Sequence, residues 1–144
     1  MSIAFEITEK EAMSMAVVFE NDEEKANEML EDFLTDNGIV ETKRFFLQIS
    51  STRRGVRTVG YLKFAVVPEG TSKKGKIDVS NIPALKYLSV TVDADIFDSF
   101  VDGDFQNLIN DFLKEKSYKI DISKTMPFGE IIDSGQYRFF TPIK

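Results

Sequence analysis

No cysteine and no histidine occur anywhere in the 144 residues. The first absence excludes disulfides, thiolate metal sites and any cysteine nucleophile. The second removes the most frequent general acid–base and the most frequent metal ligand, so many enzyme classes drop out. An excess of positive charge is also missing. Eighteen basic against 24 acidic side chains leave a net charge of −6, which opposes a nucleic-acid or anionic-membrane surface as the main partner. No apolar run approaches the roughly 20 residues that span a bilayer. Residues 1–20 mix Glu6, Lys10 and Glu11 with short apolar stretches and lack the basic and long apolar regions of a signal peptide. A cytoplasmic protein with no nucleic-acid or membrane partner is expected.

What is present is enough apolar material for one core. The chain is 42% hydrophobic with 13 Phe, which excludes disorder, and its length suits a single domain over residues 1–144. Within it one pattern occurs twice. Asp32-Phe33-Leu34 recurs as Asp111-Phe112-Leu113, and at that offset of 79 the set Ala26, Met29, Leu30, Phe33, Leu34 maps onto Phe105, Leu108, Ile109, Phe112, Leu113. Both sets have the i, i+3, i+4, i+7, i+8 spacing of one helical stripe, so two amphipathic helices with Phe33 and Phe112 fully buried are expected.

Around these stripes the rest of the order can be read. Alternating Ile3, Phe5, Ile7 and the run Met15 to Phe19 predict an extended opening. Asn21 as N-cap, Glu24 three residues on and Gly38 as stop predict a helix over 22–37. Residues 45–49 and 59–67 predict a hairpin joined by the polar segment 50–55. The Gly- and Lys-rich segment 68–76 is the expected joint between repeats at about 1–70 and 77–144. A strand over 87–92, a helix over 104–116 and a hairpin of 129–132 with 137–141 about the turn Asp133-Ser134-Gly135-Gln136 complete the second copy. The predicted fold class is α+β: duplicated β-α-β-β units forming a mainly antiparallel sheet, two helices on one face, with pseudo-twofold symmetry.

The paired helices ending Phe33-Leu34 and Phe112-Leu113, the segment Ile82-Pro83-Ala84-Leu85-Lys86-Tyr87 and the closing strand Tyr137-Arg138-Phe139-Phe140-Thr141-Pro142-Ile143 resemble the GyrI-like superfamily, the effector-binding domains of AraC- and MerR-type regulators. The chain is similar to free-standing Gram-positive members, some of them associated with type VII secretion loci. That resemblance implies a groove between repeats that takes small molecules. Ligand-binding members carry a Glu four residues before the closing proline, and here that position is Arg138. An arginine repels the cationic drugs that such a Glu meets and suits a carboxylate or phosphate. Hydrolases on the fold also rely on a groove Glu.

Other motifs weigh less. Gly70-Thr71-Ser72-Lys73-Lys74-Gly75-Lys76 has P-loop spacing, but Ile77 stands where Ser or Thr should hold Mg²⁺ and no helix comes next, so it reads as a flexible basic loop. Asp93, Asp95, Asp98, Asp102 and Asp104 fail the calcium-loop template, and Asp102-Gly103-Asp104 instead offers turn and N-cap chemistry for the second helix. Arg53, Arg54 and Arg57 read as an exposed hairpin tip, with an anion or partner contact as the alternative. No spacing singles out a Ser-Lys dyad or a carboxylate pair, so no catalytic, metal or cofactor residues are assigned.

The expected function is a stand-alone small-molecule binding or sequestering protein. Its groove candidates are Tyr61, Lys63, Phe64, Tyr87, Glu130, Tyr137, Arg138 and Phe140, an aromatic lining with few polar anchors, for a small apolar ligand, anionic or neutral. The alternative is a protein-interaction or accessory module, tied to a bacterial secretion locus and without a small-molecule ligand, and a homodimer is compatible with either. A hydrolase on the same fold stands third.

Overall fold

The computed structural model describes residues 3–98, 104–132 and 135–144. The element order is β1 (Ile3–Lys10), β2 (Met13–Glu20), α1 (Glu23–Asp36), β3 (Arg44–Arg53), β4 (Val56–Val67), β5 (Asp78–Ile82), β6 (Leu85–Asp93), a short α2 (Ala94–Asp98), α3 (Asp104–Glu115), β7 (Phe128–Ile132) and β8 (Gln136–Pro142). The fold is α+β and the strand pairs within each unit are antiparallel, as the alternating and turn-rich sequence requires. Two strands precede each major helix, where the expected repeat unit has one.

The chain divides into two compact units, a middle unit (Ala12–Pro83) and a terminal unit (Met1–Glu11 with Ala84–Lys144). These do not coincide with the segments 1–70 and 77–144. The reason is an exchange of edge strands. The sheet of the middle unit runs β3-β4-β2-β5 and that of the terminal unit runs β7-β8-β6-β1, so β1 joins strands some 75 residues later in the chain and β5 joins strands earlier than itself. Ile3 faces Val92 and Met13 faces Ile82, so the partners' numbers sum to 95 in both pairs. The Gly- and Lys-rich segment 68–76 lies inside the middle unit, where Lys76 pairs with Glu20 at 3.3 Å and Lys74 with Asp36 at 3.5 Å. The next element after this segment is the strand β5, so a P-loop has no helix to rest on.

In the middle unit α1 covers one face of the sheet. Ala26, Leu30, Phe33 and Leu34 bury against Ala16, Val18, Ala65 and Val67. Its N-cap is Asp22, not Asn21, because the Asp22 side chain in extended geometry accepts from the Lys25 N–H. It stops as expected at Gly38, whose φ of 70° lets the Ile39 N–H reach the Leu34 carbonyl at 2.9 Å. The hairpin differs from its prediction. Arg54 (φ 53°) and Gly55 (φ 79°) form a two-residue turn, so β3 and β4 run on to Arg53 and Val56 and the polar segment 50–55 is mostly strand.

In the terminal unit α3 covers Leu88 and Val90 through Ile109 and Leu113, with Phe5, Phe105 and Phe112 packed alongside. Phe112 is only half-buried, stacked on Phe5 at 4.7 Å, because an aromatic layer of this width leaves its outer edge in water. The expected Asp102-Gly103 cap and the Asp133-Ser134 part of the last turn lie outside the described residues.

Candidate functional site

Strand alternation fixes which residues share a face. In β6, Leu88 and Val90 point to α3, so Tyr87, Ser89 and Thr91 point the other way. In β8, Tyr137 and Phe139 pack on Phe97 on the helix side, so Arg138 and Phe140 share the opposite face with Tyr87. Phe128 and Glu130 of β7 join them by register. Tyr87 is fully buried and meets Phe128 and Phe140 edge-on, with centroids 5.6 and 6.1 Å away. The Lys10 ammonium sits 4.2 Å from the centre of the Phe140 ring.

The polar groups of this face stand in a row beside the aromatics. The Arg138 guanidinium donates to Glu130 Oε1 at 3.4 Å and to Thr91 Oγ1 at 3.3 Å, both long contacts, and 40% of its side chain is exposed. It is therefore a partnered cation, not an unpaired one. Gln136 donates to Asp93 at 2.9 Å at the far end. The Tyr87 hydroxyl, by contrast, is buried with no hydrogen-bond partner among the described residues, and burial pushes its pKa above the usual 10.0. An orphaned buried hydroxyl costs about 1–3 kcal/mol, so it marks a place where a partner is wanted.

Of the eight candidates, the structure brings Tyr87, Glu130, Arg138 and Phe140 together on the helix-free face of the terminal unit. Tyr137 faces the helix layer. In the middle unit Tyr61 and Lys63 also lie on the helix side, Lys63 bonded to Glu23 of α1 at 2.8 Å, while Phe64 is buried on the opposite face. Lys10, Thr91 and Phe128 are not among the eight. Only the pairing of β1 with β6 and of β7 with β8 reveals them, and no local signal in the sequence carries those registers. Among the described residues no group of three acidic or other ligating side chains could hold a metal ion, and no helix is long and apolar enough to cross a membrane.

No protein-family model matches the chain, and no curated protein matches it. Solved structures do. The C-terminal domain of EcmrR aligns over 100% of this chain and 99% of its own, at TM-score 0.64 and 11% identity. The chain has the fold of that domain. EcmrR in its complex with DNA aligns over 99% of this chain and 57% of its own, at TM-score 0.59 and 13% identity. SAV2435 bound to tetraphenylphosphonium aligns over 98% of this chain and 94% of its own, at TM-score 0.48 and 11% identity. At such identities the likeness extends to the backbone and not to the side chains, so the site is argued from the chain's own residues.

Proposed function

We propose that this chain is GyrI-like and binds or sequesters a small apolar molecule against the helix-free face of the terminal unit. The observation that carries the reading is the orphaned Tyr87 hydroxyl, buried together with Phe128 and Phe140: an apolar enclosure that holds one unsatisfied donor and acceptor has the chemistry of a small-molecule site. The carboxylates of this face are engaged or remote from the rings: Glu130 faces Arg138, Asp93 accepts from Gln136, and Glu6 is exposed on the edge strand. The Tyr87 hydroxyl has no partner among the described residues and 40% of the Arg138 side chain is exposed beside Glu130, so the ligand presents an acceptor, a carboxylate or an amide oxygen, next to an aromatic ring. A lipophilic cation finds no uncompensated buried carboxylate there. The likeness in fold to the EcmrR C-terminal domain supports the same class of role.

A thermal-shift screen tests this. Carboxylated aromatics are expected to raise the melting temperature, cationic dyes to leave it unchanged, and Arg138→Ala to reduce the response. Strong stabilisation by cationic dyes overturns the charge argument.

A further inference from the structure

The β3–β4 hairpin outruns β2, the strand beside it. β4 pairs with β2 only from Tyr61 to Val67, so Val56 to Gly60 and the facing part of β3 continue beyond the end of β2 as an arm about 17 Å long. Residues 48–58 are all exposed. At the tip stand Arg53, Arg54 and Arg57, three cations with no ion pair among the described residues, on a protein whose net charge is −6. The arm is also apolar on one side: Ile49 and Val56 are 39% and 66% exposed on the face that Phe19 shares at its root. The same unit carries the complementary surface. Glu24, Glu28 and Asp32 lie at i, i+4 and i+8 on α1, exposed and without ion pairs among the described residues, a line about 12 Å long. Their neighbours Glu23 and Glu31 are already taken by Lys63 and Arg44.

We propose that the arm docks on a second copy of this chain, its arginines seated along the Glu24, Glu28, Asp32 line of the partner's α1. A twofold dimer makes the contact twice, which lets individually weak surface pairs add. The interface is electrostatic, so salt weakens it.

Charge exchange on the full chain tests the proposal by analytical ultracentrifugation. In about 20 mM salt a concentration-dependent dimer is expected, with its dissociation constant raised at least about tenfold in about 500 mM salt. Variant one carries Arg53→Glu, Arg54→Glu and Arg57→Glu; variant two carries Glu24→Lys, Glu28→Lys and Asp32→Lys. Each alone is expected to be monomeric with an unaltered circular dichroism spectrum, and the equimolar mixture to dimerise, because both contacts regain opposite charges only in the heterodimer. A wild-type monomer at low salt, a salt-insensitive dimer, or a mixture that stays monomeric would overturn it.

Discussion

Where α1 meets its sheet, the middle unit uses alanine: Ala16, Ala26 and Ala65 are all fully buried, and Ala16 lies between Ala65 and Val79 across the strands. The terminal unit builds the same layer from rings. Val90 lies between Phe139 and Phe5, and Phe105 occupies the position that Ala26 holds 79 residues earlier. Small side chains let the backbone of α1 come close to β2 and β4, whereas α3 makes no comparable approach to any strand among the described residues. The duplicated pattern thus keeps the helical stripe but neither its volumes nor its full burial, and the thicker aromatic layer leaves Phe112 half in water and Leu108 36% exposed. Repeats that share a stripe can differ in how tightly each stripe is sealed.

That difference is open to direct attack. Phe33→Ala should cost about 3–5 kcal/mol, the usual range for a fully enclosed ring, and Phe112→Ala about 2 kcal/mol, since part of its ring is already hydrated. Urea denaturation of both variants decides the matter: equal losses would mean that the two layers are equally sealed.

Tyr87 gives the next largest effect and bears only on the terminal unit. Its raised pKa means that the folded state favours the neutral phenol, so this stability is fully present below about pH 10 and is lost as pH rises through the folded value. Tyr87→Phe removes both that loss and the orphaned hydroxyl. The variant should gain about 1 kcal/mol at neutral pH and fall less steeply above pH 10 in chemical denaturation, while responding less to carboxylated aromatics in the thermal-shift screen. A variant less stable than the wild type would show that the hydroxyl has a partner after all.

The smallest effect sharpens the comparison at the helix ends. Ser117 stands 79 residues after Gly38 in the same left-handed geometry, φ 63° against 70°, and Tyr118 N–H reaches the Leu113 carbonyl at 2.9 Å as Ile39 does Leu34. Serine is strained there and glycine is not. Ser117→Gly should therefore stabilise by about 0.5–1 kcal/mol, read as a higher urea midpoint. No gain would imply that the Ser117 side chain offsets its own strain.

Local patterns carry most of the fold. The two stripes, Gly38 and the strand runs rest on interactions within one turn or one strand, and the helices lie within a residue or two of their expected ends. The N-cap is Asp22 in place of Asn21 because both residues can accept the bond and only the backbone angle chooses. The extent of the hairpin hangs on Arg54 taking a left-handed conformation, which no sequence rule requires of an arginine. The candidate site is less legible. Tyr61, Lys63 and Tyr137 are one register step away from the helix-free face of their strands, and a single step reverses every side chain. Register comes from pairs such as Val90 with Phe139, set by packing between residues some 50 positions apart.

The exchange of edge strands between repeats has a consequence for the order in which the protein is made. β1 leaves the ribosome before the middle unit, yet its partner β6 emerges only after every residue of that unit has been synthesised. The middle unit closes on β5 at Ile82, so it can mature on the nascent chain while the opening eight-residue strand waits with both edges bare. Glu6 and Glu9, spaced along that waiting strand, are well placed to discourage pairing with other nascent chains until Leu85 to Asp93 emerge.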